Sequence, residues 1–247
     1  MKSTLSKTTA NTTLSLAFAA WVLLTSSPCF AGTVLVGGFE GSFGSWSTTG
    51  LATIEGTFGG VVPPQGASQA LIRSSDDDGD DVAVADLATF LGIPQAQIDA
   101  LGTGATRGSG LSLAITGVNV GDKLTFSWNF LTSETAPSTR DDFGFFSISH
   151  TADPQTATLL ADIGDASNPF SSPEGYFSMQ TGYGPMSHTF DTAGNYTIGF
   201  GVVNVDSTSF SSGLLIDEVS LTAVPEPTAL AGLGLVGLAL SMRRRRR

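Results

Sequence analysis

Cysteine, histidine and basic residues are scarce in this 247-residue chain, and each shortage removes a class of function. The one cysteine, Cys29, lies in the N-terminal leader, so a body released after Ala31 holds no thiol for catalysis and no disulfide. His150 and His188 are the only histidines, each follows a serine, and neither stands in a metal-ligand spacing such as His-Glu-x-x-His. Gly102-Thr-Gly-Ala-Thr-Arg-Gly108 has the wrong spacing for a nucleotide-binding glycine fingerprint and no following helix. Between residues 32 and 223, Arg73, Arg107, Lys123 and Arg140 face 21 acidic residues, a net charge of −17. Such a surface repels nucleic acid and anionic membranes and attracts divalent cations. No catalytic residue stands out, because 21 acids offer many carboxylate pairs and nothing selects one of them.

The two ends carry addresses. Lys2 and Lys7 form a basic n-region, Leu14 to Leu24 an apolar core of signal-peptide length, and Cys29-Phe30-Ala31 a small-x-small cleavage site. Residues 1–31 therefore read as a signal peptide whose apolar core is a helix, and export follows. At the other end Val224-Pro225-Glu226-Pro227 leads into an apolar stretch, Thr228 to Met242, and then Arg243, Arg244, Arg245, Arg246 and Arg247. Fifteen helical residues span about 22 Å, short of the ~30 Å hydrocarbon core, so a membrane helix here needs the arginines to snorkel to the head groups. A terminal basic cluster is held on the cytoplasmic side, which puts the body outside.

Pro225-Glu226-Pro227, a Gly/Ala/Leu helix and a terminal arginine run together resemble the PEP-CTERM sorting signal of Gram-negative bacteria that make exopolysaccharide. The resemblance implies that residues 224–247 are a substrate for exosortase, a membrane-embedded cysteine protease that cuts near the motif. The inner membrane would then be a transient partner, and the destination the cell surface or extracellular matrix.

Residues 32–223 have the length of one sizeable domain, enough to bury a core without staples. Their pattern is mostly period two. Leu111–Val118, Lys123–Leu131, Phe143–Ser149, Tyr196–Val203 and Leu214–Leu221 read as strands with one buried face. Short strands at this spacing predict an all-β, antiparallel two-sheet sandwich. One insertion breaks the period: Val82–Leu91 and Pro94–Leu101 have helical spacing and predict a short helical pair, at about 82–101, capping an end or edge. The Gly/Pro/Ser-rich segment 164–187, holding Tyr176 and Tyr183, predicts a long loop.

Gly37-Gly38-Phe39-Glu40 with Ser45-Trp46, and Gly213-Leu-Leu-Ile-Asp217-Glu-Val-Ser-Leu221, are similar to the first and last strands of galactose-binding-like jelly rolls, a superfamily with many carbohydrate-binding modules. The resemblance implies a structural calcium ion where the two strands meet, held by Glu40 and Asp217, whose hard oxygens suit it. The bland alternative has Glu40 capping a turn and Asp217 facing solvent. Asp76-Asp77-Asp78-Gly79-Asp80-Asp81 fails as an EF-hand loop and reads as a solvated loop or a weak calcium site with Asp141 and Asp142. Rings that stack on sugars are sought in Trp46, Tyr176 and Tyr183, whereas Trp128 sits in the most apolar strand and reads as core.

These features point to an exported, non-enzymatic protein that binds or structures exopolysaccharide. A polysaccharide-modifying hydrolase using paired carboxylates, and a structural adhesin binding other proteins, are the alternatives.

Overall fold

The alternation read in the sequence becomes two antiparallel sheets that share one apolar layer. The structure, a computed structural model, describes residues 33–75, 79–134, 141–150, 155–174, 177–206 and 210–224. They belong to the compact unit Gly32–Val224. The expected signal peptide, sorting motif, membrane helix and arginine tail lie outside the described residues. Among the described residues no helix is long and apolar enough to cross a membrane.

The strands in chain order are β1 (Thr33–Gly37), β2 (Ser47–Thr49), β3 (Leu51–Glu55), β4 (Gln69–Arg73), β5 (Val82–Ala83), β6 (Ala105–Val118) and β7 (Lys123–Thr132). They continue with β8 (Phe143–His150), β9 (Thr156–Asp162), β10 (Asn168–Glu174), β11 (Phe177–Gln180), β12 (Gly184–Thr189), β13 (Gly194–Val205) and β14 (Ser212–Thr222). One sheet runs β10-β11-β7-β14-β4-β3, with β1 also on β14 and β12 also on β7; the other runs β2-β6-β13-β8-β9, with β5 on β6. Leu124, Phe126 and Phe130 of β7 and Leu214 and Ile216 of β14 meet Leu111 and Leu113 of β6 and Ile198 and Phe200 of β13 in the shared core. At ~25 cal/mol per Å² of apolar area, this layer is the main stabilising element of the sandwich.

The helical pair forms as expected, as α1 (Val84–Leu91) and α2 (Gln95–Asp99), with Pro94 as the N-cap of α2 and Gly92 in the left-handed conformation ending α1. Its place differs from expectation. Rather than capping an end, α1 lies on the outer face of the second sheet, where Val84, Leu87, Ala88 and Leu91 pack with Phe143, Phe145, Val203 and Val205. Glycine makes this possible: a Cβ on Gly199 would stand 2.5 Å from Leu91 Cδ2, and one on Gly201 2.3 Å from a Phe145 ring carbon.

Segment 164–187 is likewise not a loop. It contains β10, β11 and the start of β12, which continue the first sheet beyond β7. Its polar, Gly-rich composition hid the strands because they are carried by main-chain pairing at a sheet edge, where few side chains need be apolar. Phe170 and Phe177 curl back over the outer face of the first sheet and, with Leu71, Leu131 and Leu215, make a second small core.

Candidate functional site

The first sheet has an outer face that is apolar at one end and polar at the other. Strict alternation along β14 would set Val219 and Leu221 on the same face as Asp217. Instead the register against β7 steps between Asp217, opposite Ser127, and Ser220, opposite Thr125. The extra residue is accommodated at Glu218, which takes a φ of 55°. This bulge returns Val219 and Leu221 to the shared core and leaves Glu218 and Ser220 turned to the outside. A left-handed glutamate is a strained backbone position, and such positions gather where a side chain must be aimed.

Around the bulge lies a groove of about 430 Å³ lined by Gln65, Thr125, Phe126, Ser127, Pro185, Glu218 and Ser220. Its polar groups are arranged in pairs. The Ser127 hydroxyl donates to Glu218 Oε2 over 2.6 Å, and the Thr125 and Ser220 hydroxyls share a hydrogen bond of 2.8 Å. Where β12 hands over to β11 on the edge of β7, Asn129 Nδ2 donates to Gln180 Oε1 at 2.7 Å and the Thr181 hydroxyl donates to Asn129 Oδ1 at 3.1 Å. Nearby the Tyr183 hydroxyl donates to Gln69 Oε1. Gln69 in turn donates to the carbonyls of Gly56 and Val61, at 2.6 and 3.3 Å, pinning the loop that covers the small core.

Beneath the groove Asp217 is fully buried and accepts from the backbone N–H of Gln65 at 2.9 Å and of Glu218 at 2.8 Å. Burial pushes its carboxyl above the ordinary range, the two N–H groups oppose this, and the negative charges of Glu218 and Glu40 reinforce it. Glu40 itself is exposed and takes the Ala67 N–H on both oxygens at 3.1 Å. The alternative reading of Glu40 as a turn cap is thus realised, while Asp217 is not solvent-facing. Asp217 and Glu40 both bond one loop, residues 65–67, and the charges of Glu218 and Glu40 act on Asp217. The donor chemistry suits calcium, yet among the described residues no three acidic, histidine or cysteine side chains gather as a metal-ligand set. The Glu40 and Asp217 oxygens accept from N–H groups.

Of the three rings sought for sugar stacking, Trp46 is corrected outright. It is 7% exposed and lies in the shared core, its ring 5.6 Å from Phe39 and 5.7 Å from Phe200. The apolar burial of an indole outweighs any display of its face. Tyr183 is half-buried against the small core, and burial first, then Asp217 and Glu218, pushes its phenol up. Tyr176 lies outside the described residues. Trp128, read as core, packs against the shared core while staying half-buried, with Gly184 over its ring.

The acidic run is only partly described. Asp81 is buried and bonded to Arg107, Nε to Oδ2 at 2.9 Å, so it belongs to an ion pair rather than a solvated loop or a calcium site. Asp76, Asp77 and Asp78 lie outside the described residues. Asp142 is fully buried, its Oδ1 accepting the Val205 N–H at 2.9 Å. Burial pushes it up to about 8, the Val205 N–H opposes this, and Glu134 adds to it.

Ser127, Glu218, Ser220, Thr125 and Gln65 were not singled out by sequence. The neighbouring acids Asp217 and Glu218 were a signal, but only the bulge separates their roles.

Comparisons with known proteins give likeness of fold alone. No protein-family model matches the chain, and no curated protein matches it. Among solved structures the chain is similar to TmCBM61 in complex with β-1,4-galactotriose, at 11% identity over 76% of this chain and 94% of that one, TM-score 0.43. It is similar to the K1 cleaved adhesin domain of Lys-gingipain from Porphyromonas gingivalis W83, at 15% identity over 79% and 99%, TM-score 0.42. It is also similar to the xylan-binding domain from CBM 22, at 16% identity over 75% and 91%, TM-score 0.34. The two-sheet sandwich described above rests on this chain's own strand pairing.

Proposed function

We propose that the protein is an exported, non-catalytic glycan-binding protein of the cell surface or matrix, using the groove on the outer face of the first sheet. The observation that carries this reading is the groove's lining: paired hydroxyls, an amide and a carboxylate along an open trough of about 430 Å³. Sugar hydroxyls need alternating donors and acceptors that are already held in place, because preorganised groups lose less freedom on binding. Export and sorting by an exosortase-type protease belong to the same proposal and are supported by the leader, by Pro225-Glu226-Pro227 and by the arginine tail. Calcium bridging Glu40 and Asp217 is a further part of it, supported by their shared loop and by the negative charges of Glu218 and Glu40 acting on Asp217.

The test is retention of the purified full-length protein on immobilised polysaccharides, including the producing cells' own, with the polymer assayed for cleavage. Retention without cleavage is expected. Turnover lost on mutating Glu218 would mean a hydrolase, and self-association without glycan retention would mean an adhesin.

A further inference from the structure

The groove's charge is lopsided, and this bears on which sugars enter it. The Glu218 carboxylate forms one wall, with Ser127 holding Oε2 at 2.6 Å, and Oε1 accepts from no group among the described residues. Asp217 lies beneath and Glu40 beside the same loop. The cation on this face of β7 is Lys123, exposed at the strand's start, four residues from Ser127 and so roughly 13 Å along the strand. A uronate or sulfate entering beside Glu218 would meet an unscreened like charge, whereas an ammonium would find a carboxylate oxygen already fixed by its serine. The strained φ of 55° at Glu218 is what aims that oxygen outward.

We infer that the groove selects glycans bearing free amino groups, namely polymers containing de-N-acetylated hexosamine, and turns away uronate- and sulfate-bearing ones. The inference rests on the glycan-binding reading above and adds the class of sugar. Glu218 pairs with the sugar ammonium, Ser127 holds Glu218 in place, and Thr125, Ser220 and Gln65 meet the ring hydroxyls.

The experiment measures binding of the full-length protein to β-1,4-glucosamine oligomers, to their N-acetylated counterparts and to an oligouronate, at low and high salt. The amino oligomer is expected to bind roughly tenfold tighter than the N-acetylated one, a difference of ~1.4 kcal/mol that one charge-assisted hydrogen bond can supply. The preference should shrink with salt, and the oligouronate should not bind. Glu218→Gln should remove the preference. Asp86→Asn, at an exposed position of α1 on the other sheet, should leave it intact. Equal binding of both oligomers, a preference that ignores salt, or an equal loss in Asp86→Asn would overturn the selection and leave glycan binding standing. No binding of any sugar, neutral polymers included, would bring down the glycan reading itself. The salt arm uses the unmodified protein, so the proposal stays testable even if Glu218→Gln fails to fold.

Discussion

Ser127 on β7 and Glu218 on β14 are joined by a 2.6 Å hydrogen bond at the point where the pairing of those strands slips by one residue. The slip turns an ordinary stretch of two interior strands into a groove with a fixed carboxylate. Removing the hydroxyl tests that link: Ser127→Ala should weaken retention on an amino-bearing glycan by several-fold while lowering stability by about 1 kcal/mol. Urea denaturation with parallel binding curves separates the two effects. Unchanged retention would mean that Glu218 does not need its serine.

Trp46 should behave as a core residue rather than a binding one. A core tryptophan between Phe39 and Phe200 should cost ~3–5 kcal/mol when cut to alanine, seen as a lower urea midpoint. A loss under 1 kcal/mol together with lost glycan retention would restore Trp46 as a binding residue.

Asp142 predicts a pH dependence whose sign follows from its raised value. Folded, it titrates at about 8; unfolded, near the ordinary ~3.9. Between these values the folded state holds the extra proton, so its contribution to stability is complete below about pH 4, falls as pH rises, and is gone above about pH 8. The difference in urea midpoint between the parent and Asp142→Asn should therefore shift in favour of Asn from pH 5 to pH 9. A difference that stays constant over that range would refute the raised value.

Calcium is tested by melting. If it bridges Glu40 and Asp217, added calcium should raise the melting temperature and chelator lower it, a gain of ~2.7 kcal/mol at a hundredfold excess over Kd. Glu40→Ala should abolish the response. A melt indifferent to calcium and chelator in the parent protein would sink the proposal and leave the 65–67 loop, bonded to both carboxylates, as their whole role.

The long strands were legible because their inner faces repeat with period two. Leu111-x-Leu113-x-Ile115 and Leu124-x-Phe126-x-Trp128-x-Phe130 mark one face each, and the structure buries those faces, Trp128 only partly. The helical pair was legible from its change of period and from Pro94. Its position was not, because Gly199 and Gly201, which admit Leu91 and Phe145, look in sequence like weak points of a strand. The groove was hidden for a related reason. Asp217-Glu218-Val219 looks like continuing alternation, and nothing local announces that a left-handed glutamate will break it. Trp46 was misassigned because an aromatic next to a Gly/Ser-rich bend looks exposed until Phe39 and Phe200 close around it.

If the groove holds a glycan, filling it should abolish binding. Ser220 is half-buried on its wall, so Ser220→Trp should block entry without disturbing the core. The measurement is retention of the parent and Ser220→Trp proteins on the producing cells' polysaccharide, with melting temperatures compared. A retained parent and a released variant of equal stability are expected; equal retention of both, or of neither, would mean that the groove is not the glycan site.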